Sequence, residues 1–171
     1  MPDFNAVSLD PATPADAIVL SNLLELYIHD LSEAFPSVEL GPDGRFGYPR
    51  LPLYWSEPES RFAFLIRCNA RVVGFVLATR GSPASDDVNT LDVAEFFVIR
   101  QFRHGGVGRQ AAHLLWNRLP GHWTVRVSQG NRSALEFWRR TVAQASNGTA
   151  SEFELPGTPH AWLVFSFRNG W

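Results

Sequence analysis

Residues 103 to 109 read R-H-G-G-V-G-R and join two runs of different character. A-E-F-F-V-I before them is an apolar strand pattern, and Q-A-A-H-L-L-W after them has helical spacing. Glycine costs chain entropy, so Gly105, Gly106 and Gly108 in four residues need a reason. One reading is a tight turn. The other is a backbone cradle for a phosphate. A helix N-terminus presents unpaired N–H groups and partial positive charge, and glycine lets an anion come close to both. Arg103 and Arg109 flank the loop with further charge. On either reading, a strand–loop–helix unit must lie near the centre of the fold.

The rest of the chain arranges itself around that unit. V-S-L at 7–9 reads as a first strand, and Pro14 and Asp16 open a helix with Leu20, Leu24 and Ile28 on its apolar side. Residues 30–60 are rich in Gly and Pro but carry Phe46, Tyr48, Tyr54 and Trp55, so they read as an ordered loop with a short helix. Residues 61–67 and 72–79 form a hairpin, and 91–99 a strong strand. A helix over 108–119, a strand over 123–127, a helix over 133–142 and two closing strands complete the order. This is an α/β protein of the α+β type, with residues 1–171 as one domain.

Bulk properties exclude several functions. A chain of 171 residues buries a core without staples, and the lone Cys68 cannot form an internal disulfide. No leader pattern opens the chain and no apolar run is long enough to span a bilayer, so the expected location is cytoplasmic. Every basic residue other than histidine is arginine, which excludes a Gly-Lys phosphate loop and a Schiff-base lysine. Residues 1–60 carry a net charge of −8 and residues 61–171 a net of +6. That asymmetry reads either as separate sites for a cationic and an anionic ligand or as an uneven solvated surface. The histidines lack ligand spacing, so no metal is expected, and no basic aromatic stripe points to nucleic acid.

Two nucleotide folds compete for the glycine loop. Gly106 to Ala111 matches the dinucleotide fingerprint G-x-G-x-x-A. However, six residues separate Ile99 from Gly106, a hairpin precedes the loop, and residues 126–129 (R-V-S-Q) lack the acid that holds a ribose. The other pattern is R-x-x-G-x-G from Arg103 to Gly108, five residues after Val98, followed by N-R-S-A-L-E-F-W at 131–138. With these two motifs the chain resembles the GNAT superfamily of acyl-CoA-dependent N-acetyltransferases over nearly its whole length.

The resemblance implies a mixed, largely antiparallel sheet of six to seven strands flanked by about four helices, with acetyl-CoA as acyl donor. It implies that the amides of Arg103, His104, Gly105, Gly106, Val107 and Gly108, with Arg109 beside them, wrap the pyrophosphate. Phe96, Phe97 and Val98 would pair with the pantetheine arm. Asn131, Ala134 and Trp138 would lie against its thiol end; for Asn131 a helix cap is the competing role. Trp138 stands where much of the family has a tyrosine acid, and an indole N–H is no acid near neutral pH.

The base candidates are Glu95 and Asp92. D-V-A-E-F-F-V is similar to the strand of polyamine acetyltransferases whose acting glutamate aligns with Ala94. By strand alternation Asp92, Ala94 and Phe96 face one side and Val93, Glu95 and Phe97 the other, unless the strand bulges. Tyr27, Tyr48, Tyr54 and Trp55 are the acceptor-site candidates. With Asp30, Glu33, Glu39, Asp43, Glu57 and Glu59 they suit a small cationic amine; a water-facing lid is the competing reading. A protein amine and a CoA-binding regulatory module without turnover stay open as alternatives, as does a homodimer. In a calorimetric titration, acetyl-CoA is expected to bind saturably and NAD to give no heat; the reverse would restore the dinucleotide reading.

Overall fold

The computed structural model describes residues 6–170; the first five residues of the segment read for a leader lie outside them. The strands are β1 (Val7–Pro11), β2 (Arg61–Cys68), β3 (Arg71–Arg80), β4 (Leu91–Val98), β5 (Gly121–Ser128), β6 (Ser151–Leu155) and β7 (Trp162–Asn169). The helices are α1 (Ala17–Leu31), α2 (Leu53–Ser56), α3 (Val107–Arg118) and α4 (Arg132–Ala145). The strands form one seven-stranded sheet in the order β1-β2-β3-β4-β5-β7-β6. Every pairing is antiparallel except β4–β5. The element order and mixed sheet agree with the sequence reading.

Strand alternation builds two cores, one on each face. Phe64, Ile66, Val76 and Ala78 pack with Ala111, Leu115 and Trp116 of α3 and Trp138 and Val142 of α4. Ala63, Leu65, Phe75 and Leu77 pack with Leu20 and Leu24 of α1 and Tyr54 of α2. The glycine loop therefore opens above the first core, while the 32–60 loop closes over the second.

Two irregularities of β4 position the site. The parallel pairing with β5 holds only from Leu91 to Val93, against Trp123 to Val125. Both strands continue beyond it, so β4 and β5 part and leave a gap between their ends. On its other edge β4 stays paired with β3 but carries a bulge: Leu77 opposes Glu95, and Ala78 opposes Val93. Ala94 is the extra residue.

The bulge corrects the simple alternation expected from sequence. An inserted residue resets which face each later side chain meets. Leu91, Val93 and Val98 join the α3/α4 core, with Phe96 packed against it, whereas Phe97 joins the α1/α2 core. Asp92 and Glu95 thereby share the α1/α2 face, and Phe96 lies opposite them.

The backbone of β3 touches β4 closely at one point. A Cβ on Gly74 would stand 2.0 Å from the Phe97 carbonyl oxygen, so only glycine fits. Gly74→Ala is expected to cost about 2–3 kcal/mol, a Tm loss of about 4–12 °C in thermal unfolding. Gly44 has open space around it at φ +78°, so Gly44→Ala is expected to cost only about 1–2 kcal/mol.

Candidate active site

The loop between β4 and α3 is built as an anion nest. His104 and Gly106 both take left-handed backbone angles, φ +64° and +85°, a conformation that turns successive N–H groups to one side. The sequence placed the cradle at the amides of 103–108. The amide of Arg103 instead donates to the Arg100 carbonyl at 3.1 Å. Residues 103–106 form a turn that leads into α3 at Val107. Val107, Gly108 and Arg109 supply the first-turn donors of α3. The Arg109 guanidinium folds over the loop, 3.4 Å from where a Gly106 Cβ would lie.

Arg103 has a different task. Its Nε donates to the Val98 carbonyl at 2.7 Å, and a terminal nitrogen pairs with Asp30 at 2.7 Å. Its guanidinium lies over the Phe97 ring. Arg100 joins the same carboxylate at 2.6 Å. Burial alone would raise the Asp30 pKa, but the hydrogen bonds from Arg103 and Arg100 outweigh it and hold the carboxyl below its ordinary value. The Arg103 side chain thus ties α1 to the loop rather than reaching into the nest.

Phe96 and Val98 lie beside the gap on the α3/α4 side. Phe96 meets Trp138 edge-on at 4.9 Å and Phe137 at 6.0 Å. Trp138 is buried between Phe96, Phe137 and Trp116, so it is a wall of the gap and no proton donor. Asn131 caps α4, its Oδ1 accepting from the Ala134 amide at 3.3 Å, and Ala134 is half-buried against the same core.

On the α1/α2 face the two carboxylates differ in surroundings. Asp92 is fully buried. It accepts from Thr124 Oγ1 at 2.7 Å and from two nitrogens of Arg126, the closer at 2.8 Å. Glu95 accepts from Tyr27 OH at 2.5 Å and Tyr48 OH at 3.2 Å and has no cation bonded to it. Burial raises its pKa, and the phenol hydrogen bonds and the distant Arg126 charge only partly oppose that. Burial and the Glu95 charge in turn raise the pKa of Tyr27 and Tyr48, which stay protonated donors.

Glu95 opens onto a cavity of about 210 Å³ lined by Tyr48, Tyr54, Ala94 and Arg126 among others. Of the four acceptor-site candidates, Tyr48 and Tyr54 line this cavity. Tyr27 is not in the lining; it packs edge-on against Phe75 and Phe97 and reaches Glu95 from inside the core. Trp55 is also absent from it, and its Nε1 bonds the Ala12 carbonyl instead.

A family model for the acetyltransferase (GNAT) family matches residues 23–142 of the chain. The chain belongs to the GNAT acetyltransferase family. The match contains the nest, the gap and both carboxylates. Among solved structures, an acetyltransferase from Thermus thermophilus superposes with TM-score 0.67 at 22% identity, covering 96% of this chain and 98% of that one. A putative acetyltransferase from Salmonella typhimurium, solved with its cofactor acetyl-CoA, gives 0.64 at 13% identity over 97% and 95%. A ribosomal-protein-alanine N-acetyltransferase from Brucella melitensis gives 0.62 at 16% identity over 94% and 99%. A sequence search of curated proteins gives no match.

Three members of this GNAT site were not named from sequence: Arg126, Thr124 and Asp30 as a partner of the loop. Arg126 and Thr124 are two apart on β5, so alternation alone puts them on one face. Among the described residues no helix is long and apolar enough to cross a membrane, and no group of three His, Cys, Asp or Glu side chains could hold a metal ion. Removing the cation of a buried pair leaves an uncompensated charge. Arg126→Met is therefore expected to cost about 3 kcal/mol in denaturant unfolding, and adding Asp92→Asn to recover part of it.

Proposed function

We propose that this acetyltransferase acetylates a primary amine of a small acceptor, with acetyl-CoA as donor and Glu95 as the base. The observation that carries the reading is Glu95 itself. It is a carboxylate with a raised pKa, held by two phenols, at the wall of a cavity beside the β4–β5 gap.

Acetyl-CoA supplies the acetyl group as a thioester, and the residues that fit it are those of the nest and gap. The left-handed turn, the first-turn amides of α3 and Arg109 suit a pyrophosphate. The divergence of β4 from β5 leaves room for an extended arm, and Phe96 and Trp138 line its apolar side. Asn131 and Ala134, at the start of α4, complete that wall.

An amine arrives as an ammonium ion and cannot attack until it loses a proton. Glu95, ionised and with a raised pKa, is placed to take it. Tyr48 and Tyr27 keep the carboxylate oriented between the two states. Attack forms the amide N–C bond and breaks the C–S bond. The amine releases one further proton and the departing thiolate takes up one, so the reaction needs no other reactant. Trp138 cannot supply that proton, and water reaching the gap can. Asp92 is fully buried, holds Arg126 and Thr124 in place, and is not in the cavity lining.

Glu95→Gln is expected to lower kcat by about 10²–10⁴-fold while acetyl-CoA still binds in calorimetry. In the wild type, kcat/KM is expected to fall as pH drops through the raised Glu95 pKa. The same shift has a stability sign: a raised folded pKa favours folding at low pH, and that benefit is lost as pH rises through it. Glu95→Gln is therefore expected to raise Tm at pH 8 and to change it little at pH 4. Unchanged turnover in the variant would remove Glu95 from the chemistry.

A further inference from the structure

The acids that suggested a cationic acceptor do not face the cavity. Asp30 is held by Arg100 and Arg103, and Glu57 by Arg61. Glu33, Glu39, Asp43 and Glu59 are exposed and outside the lining. Among the described residues the only carboxylate that lines the cavity is Glu95, and one ammonium group is enough to satisfy it.

The remaining lining is rich in arginine donors. Arg50, Arg61, Arg80 and Arg126 all border it, with the hydroxyl-bearing Ser60 and Thr79 between them. Arg80 is discounted, because its guanidinium lies over Phe62 on the other face of the sheet. Arg126 uses Nε and one terminal nitrogen on Asp92, which leaves the other terminal nitrogen. Arg61 uses Nε on Glu57 and stands over the Tyr54 ring at the cavity wall. Arg50 has no carboxylate within ion-pair distance among the described residues. A second cationic group on the acceptor would meet the unpaired Arg50 and the unused guanidinium nitrogens of Arg61 and Arg126, whose charges Glu57 and Asp92 already offset. An anionic group would meet their planar donors.

We propose that the acceptor is a short amine bearing an anionic group, a carboxylate or a phosphonate-type oxyanion. Its ammonium faces Glu95, and its anion faces Arg50, Arg61 and Arg126. The cavity, about 210 Å³, is smaller than the roughly 300–1,000 Å³ of most ligand pockets. Amine and anion therefore share a skeleton of a few atoms. This inference rests on the amine acetylation proposed above and narrows its acceptor.

The test uses matched three-carbon and two-carbon probes at saturating acetyl-CoA: β-alanine, 2-aminoethylphosphonate, propylamine and 1,3-diaminopropane. The expected kcat/KM of at least one anionic amine exceeds that of propylamine by about tenfold or more, with the diamine lowest. The two anionic arms decide between carboxylate and phosphonate. Arg50→Gln is expected to reduce the anionic-to-neutral ratio by about tenfold, with an unchanged melting curve showing that the surface substitution leaves the fold intact. Propylamine or the diamine reacting as well as the anionic amines overturns the inference and leaves amine acetylation standing. No turnover of any amine by protein that binds acetyl-CoA overturns both.

Discussion

β4 has to satisfy its β3 edge along its whole length while giving up its β5 edge halfway, and the site depends on how it does both. Unpaired strand edges inside a fold are costly unless something else takes their donors and acceptors. Here the Arg103 side chain caps the Val98 carbonyl at the end of the strand, and the gap is left for an extended ligand. The bulge at Ala94 then rotates Glu95 onto the face of Asp92. Without it, Glu95 would point into the Trp116–Trp138 core, where neither phenol could reach it.

Two carboxylates three positions apart consequently meet opposite electrostatics. Asp92 is fully buried but neutralised by Arg126 and a threonine hydroxyl. Glu95 has only neutral donors, so burial dominates and its proton affinity rises. Environments that differ this much divide chemical roles between similar groups. Asp92 fixes an arginine, while Glu95 remains able to exchange a proton.

Much of this was legible in the residues. The glycine loop between strand and helix, the second motif at 131–138 and the order of elements all came from local patterns, which do not depend on distant contacts. The bulge did not, because it exists only as a mismatch between β3 and β4. The task of Arg103 was hidden for a related reason: Asp30 lies far away in the chain, and only folding brings it to the loop. The acids of residues 30–60 have separate fates that composition does not reveal. Composition counted them as one patch, while the fold hands Asp30 and Glu57 to arginines and leaves four others facing water. The arginines that do face the cavity come from the loop, β2 and β5, a set no sequence window contains.

The position of β7 has a further consequence. It is inserted between β5 and β6, so β6 has no other partner in the sheet. A chain emerging in order presents β5 with an open edge and β6 with none to join until Trp162–Asn169 is available. The β5–β7 and β6–β7 ladders therefore both wait for this strand. A truncation that removes β7 would take away an inner member of the sheet, and with it Trp162 beneath the Arg126 guanidinium. The last strand is thus a keystone of this architecture rather than trim on its edge.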